Sequence, residues 1–138
     1  MRRRYLTGAI LAMLVAPNPS VADERPEIPN VLGSVAATLN GSLRNGDRDI
    51  YPVNATGGQV LSVRIDSPNN EAVVLIFPPG THYTQDQSQI WTFHGRPVRG
   101  ADGDAREWSG ELTSGGRYLV VVGGGLGQTD YTLDISIQ

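Results

Sequence analysis
From residue 34 onward, apolar residues recur at every second position, and that period constrains what the chain can fold into. In residues 59–66, Leu61, Val63 and Ile65 alternate with Ser62, Arg64 and Asp66. In residues 130–137, Tyr131, Leu133, Ile135 and Ile137 alternate with Thr132, Asp134 and Ser136. Residues 34–43 place Val35, Ala37 and Leu39 on one side, and residues 107–112 do the same with Trp108, Gly110 and Leu112. A period of two is the signature of a strand with one buried face, whereas a helix needs a period of 3.6. Residues 48–53 alternate more weakly, and Pro52 marks that strand for a sheet edge because it has no N–H to donate.

Two runs break the alternation by being apolar on both faces: residues 72–77 (AVVLIF) and 118–122 (YLVVV). Short β-branched runs of this kind belong to strands covered on both sides, which places them at the centre of the fold. Residues 90–94 (IWTFH) form a shorter eighth candidate. Turn chemistry separates the pieces at Asn45-Gly46, Gly57-Gly58, Pro78-Pro79-Gly80, Gly115-Gly116 and Gly123-Gly124-Gly125. The reading is all-β: residues 33–138 form a single antiparallel β-sandwich, jelly-roll-like, of about seven or eight short strands.

The start of the chain reads as an address. Arg2, Arg3 and Arg4 precede an apolar run at residues 6–16, then Asn18-Pro19 and the small residues Ser20-Val21-Ala22. This is the pattern of a secretory signal peptide over residues 1–22, too short for a membrane span of about 20 residues. Residues 23–32 (DERPEIPNVL) read as a tether. Cleavage after Ala22 leaves 116 residues and removes three arginines but no acid. Eight basic residues then face 14 acidic ones, so the net charge moves from −3 to −6. An exported, acidic domain of this kind is expected in the periplasm or outside the cell. Its charge disfavours nucleic acid and favours a basic partner.

Composition removes most chemistries. There is no Cys, hence no disulfide, thiol nucleophile or Cys-ligated metal. Every basic residue is Arg, which excludes a Schiff-base or P-loop lysine. The two histidines, His82 and His94, lie 12 positions apart with no carboxylate at a metal-ligand spacing, and read as surface residues. The acid pairs Asp47/Asp49 and Asp102/Asp104 lack the further ligands of a calcium loop. No G-x-S-x-G elbow occurs. Gly123–Gly127 lies between strands rather than before a helix, so it reads as a hairpin loop and not a phosphate cradle. No catalytic residue, metal or cofactor is assigned, and the chain is expected not to be an enzyme.

The order of features carries a resemblance. Gly46-Asp47-Arg48-Asp49-Ile50-Tyr51-Pro52-Val53 followed by Ala55–Val63, and later Leu112–Val122 followed by Asp130–Ile137, resemble a bacterial pre-peptidase C-terminal domain over roughly residues 41–138. Phe77-Pro78-Pro79-Gly80, the closing Tyr131–Gln138 strand and a turn before Tyr118 resemble more narrowly the periplasmic inhibitors of g-type lysozyme, with i-type inhibitors as relatives. In that family a Ser-Gly-x-Tyr turn enters the lysozyme cleft. The resemblance implies an inhibitory turn at Ser114, Gly115, Arg117 and Tyr118. Arg117 would meet a catalytic carboxylate and Tyr118 would act as an aromatic anchor. Aligned on Tyr118, Gly115 stands at the serine position and Ser114 one residue earlier. Gly123–Gly127 replaces an expected Arg-rich segment. The implied partner is a lysozyme or another peptidoglycan hydrolase. The alternative is a stand-alone carbohydrate- or cell-wall-binding module, with Trp91, Trp108 and Tyr83 as a sugar-stacking face. A further reading of the turn has Tyr118 packed inside the sandwich.

Overall fold
The computed structural model describes residues 23–25, 35–44, 47–87, 91–124 and 127–138. The signal segment, residues 26–32 of the tether, the Asn45-Gly46 turn and the middle of the Gly123–Gly127 loop lie outside the described residues. The strands in chain order are β1 (Asp23–Glu24), β2 (Val35–Leu43), β3 (Arg48–Ala55), β4 (Val60–Asp66), β5 (Val73–Phe77), β6 (His82–Gln85), β7 (Trp91–His94), β8 (Asp102–Ala105), β9 (Glu107–Glu111), β10 (Gly116–Gly123) and β11 (Thr129–Ile137). A 3-10 turn at Pro68–Asn70 precedes β5.

Each of the eight strands expected from periodicity is present. The three additional ones, β1 (DE), β6 (HYTQ) and β8 (DGDA), contain almost no apolar residues to alternate. Backbone pairing with a neighbour, rather than side-chain period, makes them strands.

Two sheets stack. One has the order β1-β3-β10-β5-β8 and the other β2-β11-β4-β9; β6 and β7 form a separate hairpin. Apart from the parallel β1–β3 pair, every pairing is antiparallel. The core between the sheets includes Val53, Leu61, Val74, Val120, Leu133 and Ile135, all essentially inaccessible. Burial of each such side chain is worth about 1.5–3 kcal/mol. With no disulfide to constrain the unfolded chain, this core holds the fold.

The both-face apolar character of residues 118–122 has a specific cause. Tyr118, Val120 and Val122 face the inter-sheet core, while Leu119 and Val121 face outward beside Ile50 and Phe77. The β6–β7 hairpin covers that outer patch with Tyr83, Trp91 and Phe93. Phe93 stacks on Phe77 with centroids 4.9 Å apart, and Tyr83 meets Trp91 edge-on at 5.6 Å. Pro52 also follows sheet logic. The Ile50 carbonyl accepts the Arg25 N–H at 2.8 Å, so two residues further on Pro52 turns its donor-less nitrogen to the same side, past the end of β1.

Candidate functional site
Three connections converge at one end of the sandwich. The β3–β4 turn (residues 56–59) lies against the β9–β10 turn (residues 112–115). The Gly58 N–H donates to the Leu112 carbonyl at 2.7 Å, and the Leu112 N–H donates to the Gln59 carbonyl at 2.7 Å. The Gln59 side chain closes its own turn by accepting the Thr56 N–H at 2.8 Å. The β5–β6 connection supplies the third wall. A side chain at Gly116 would come within 2.8 Å of the Pro79 ring, and Gly116 has φ +139. Only glycine meets both demands, a left-handed backbone and close approach to a neighbour.

The resemblance singled out Ser114, Gly115, Arg117 and Tyr118, and the structure gathers all four at this rim. Ser114, Gly115 and Arg117 are exposed. Tyr118 is not: it is 3% exposed and belongs to the core between the sheets. Strand parity decides this, because Tyr118 shares the inward face with Val120 and Val122. Its hydroxyl donates to the Ser114 carbonyl at 2.8 Å. The aromatic-anchor reading of Tyr118 is therefore corrected; its ring is unavailable to a partner and instead braces the turn from beneath. Gly57 and Pro79, which wall the turn, were visible in the sequence only as separate turn signals.

The aromatic residues do not make one sugar-stacking face. Tyr83 and Trp91 lie in the layer beneath the β6–β7 hairpin, whereas Trp108 packs against the inter-sheet core with its indole N–H donating to the Arg99 carbonyl at 2.9 Å. The acids also stay apart: among the described residues no group of three or more His, Asp or Glu is assembled for a metal.

Toward the opposite end of β3 lies a buried polar cluster that no motif or spacing in the chain announced. Asp49, fully inaccessible, accepts from Arg25 Nη2 at 3.0 Å and from the Tyr131 hydroxyl at 2.5 Å; the Tyr131 and Tyr51 hydroxyls are 2.6 Å apart. Tyr131 crosses directly over Gly41, its cross-strand partner, where any side chain would collide with the ring. Burial pushes the Asp49 carboxyl above its usual range; the Tyr131 hydrogen bond and the Arg25 charge oppose this without cancelling it. Burial likewise pushes Tyr51 up to about 12. The cluster is enclosed, which makes it a joint between the two sheets and β1 rather than a reaction centre.

No family model matches the chain, and no curated protein matches it. Solved structures do. The structure of Aeromonas hydrophila PliG, a periplasmic lysozyme inhibitor of g-type lysozyme, superposes with a TM-score of 0.64 at 26% identity, covering 86% of this chain and 99% of that one. This chain has the fold of a periplasmic g-type lysozyme inhibitor. Salmonella Typhimurium PliG gives a TM-score of 0.56 at 22% identity, and a mutant of Escherichia coli PliG gives 0.53 at 23%. They cover 86% and 85% of this chain and all of their own chains. Among the described residues no helix is long and apolar enough to cross a membrane.

Proposed function
We propose that this chain is an exported, non-enzymatic inhibitor of a g-type lysozyme, and that it acts by seating the turn at residues 113–117 in the enzyme's cleft. The observation that carries the reading is the end-to-end likeness to Aeromonas hydrophila PliG, which spans 99% of that inhibitor. The signal-like start fits a periplasmic destination. The net charge of −6 left after its removal would steer the protein toward a basic enzyme over about a Debye length.

The geometry of the rim suits an inhibitor. Hydrogen bonds to residues 56–59, the Pro79 contact and the Tyr118 brace already hold the turn, so little conformational entropy is lost on docking. Arg117 lies at the exposed start of β10, opposite Asn54. From there its guanidinium would meet a cleft carboxylate as a charge-assisted pair.

The test adds purified mature protein to g-, i- and c-type lysozymes and follows wall clearing. Inhibition of the g-type enzyme is expected. Arg117→Ala should weaken it by roughly tenfold to a hundredfold, the worth of one hydrogen bond to a charged group, with a nearly unchanged melting temperature. No inhibition of any lysozyme at micromolar excess sinks the reading; inhibition that survives Arg117→Ala intact places the contact elsewhere on the molecule.

A further inference from the structure
His82 and His94 are the only histidines of the chain, and the sequence places them 12 positions apart without comment. The hairpin brings them face to face. His82 opens β6, His94 closes β7, and the register pairs them directly, followed inward by Tyr83 with Phe93, Thr84 with Thr92 and Gln85 with Trp91. Alternation turns Tyr83, Trp91 and Phe93 down onto the sheet and leaves both histidines exposed on the outer side.

We propose that His82 and His94 form a surface site for a late first-row divalent transition metal ion, with Cu²⁺ the preferred occupant. Side chains directly opposite each other on antiparallel strands have Cβ atoms about 4.5–5.5 Å apart. Two imidazoles on such positions can close on one ion, with metal–nitrogen bonds of about 2.0–2.1 Å. Imidazole suits copper, nickel and zinc, and Cu²⁺ heads the order of affinities for such a site. With no third His, Asp or Glu grouped here among the described residues, water completes the coordination.

The hairpin is also a rigid support. Phe93, next to His94, stacks on Phe77. At the hairpin base, the Thr81 hydroxyl donates to the Pro78 carbonyl at 2.9 Å, and Gly95 lies so close to Thr81 that a side chain there would collide with it. The backbone that presents the two rings is thus fixed before an ion arrives, which is the condition for a small site to bind well. A bound ion would clip the two strands together and lock the aromatic lid onto the outer face of the β1-β3-β10-β5-β8 sheet.

The experiment is calorimetric titration of CuSO₄, and separately of ZnSO₄, into the mature protein, into His82→Ala and His94→Ala, and into the double variant. One Cu²⁺ per chain is expected, bound more tightly than Zn²⁺. Each single substitution should weaken binding by roughly tenfold or more, the scale at which loss of even a supporting group weakens a metal site. All variants should melt like the parent without metal, since both side chains stand in solvent. Three results would overturn the proposal: no saturable Cu²⁺ binding, binding that survives the double substitution, or binding that depends on only one of the two histidines.

Discussion

Replacing Arg25 with Ala tests whether β1 and the buried cluster are part of the folded domain. Arg25 is 8% exposed and its ion pair with Asp49 is buried on both sides, at 3.0 Å. Removing one partner of a buried pair leaves an uncompensated charge and costs about 3–5 kcal/mol. The lower end applies here, because the Tyr131 hydroxyl still donates to the buried carboxylate after Arg25 is gone. For a domain of this size, about 3 kcal/mol corresponds to a fall of roughly 12 °C in melting temperature. The effect should depend on pH with a definite sign. Burial makes Asp49 harder to ionise in the fold than in the unfolded chain, so its contribution is fully present below the ordinary value of 3.8 and is lost as pH rises through the raised folded value. Arg25 is one of the groups opposing that rise. Without it the folded value climbs further, and the variant should be damaged more near pH 7 than near pH 4. Thermal melts of parent and variant at both pH values, starting from Asp23, supply the measurement. A loss under about 1 kcal/mol near pH 7, or equal losses at the two pH values, would refute the reasoning.

Other substitutions probe the same joint and the rim. Tyr131→Phe removes a hydroxyl that donates to Asp49 and also meets Tyr51; denaturant unfolding should register a loss of about 1.5–3 kcal/mol, the range for a hydrogen bond to a charged group. Gly116→Ala puts a methyl into a left-handed backbone position against Pro79, and should lower stability by about 1–3 kcal/mol in the same assay. Tyr118→Phe keeps the core ring but frees the Ser114 carbonyl. Stability should fall by about 1 kcal/mol, and inhibition, if the braced turn is the inhibitory element, should weaken in the clearing assay.

The buried joint also revises the reading of the N-terminal segment. Asp23–Glu24 pair with β3, and Arg25 is sealed against Asp49, so the first residues expected after signal removal complete a sheet edge. A strand edge left open invites pairing with other chains, and β1 covers part of this one.

What the sequence by itself determined was local. Side-chain period is a property of neighbouring residues, so Leu61, Val63 and Ile65, or Leu133, Ile135 and Ile137, announced one-faced strands before any partner was known. The two-faced apolar run at residues 118–122 announced a covered central strand for the same reason. Turn residues marked where the strands stop. Strands without apolar alternation, β1, β6 and β8, left no such mark, because their pairing is decided by the neighbour they bond to. Tertiary structure alone decided which residues meet. It covered Leu119 and Val121 with a hairpin beginning at residue 82, and faced His82 with His94. It also joined Asp49 to Arg25 and to Tyr131, across 24 and 82 positions. The site residues divide along the same line. Arg117 and Tyr118 are adjacent in the chain, yet alternation sends one to solvent and the other into the core. Only the closure of two sheets over that inner face turns Tyr118 from a contact residue into a brace.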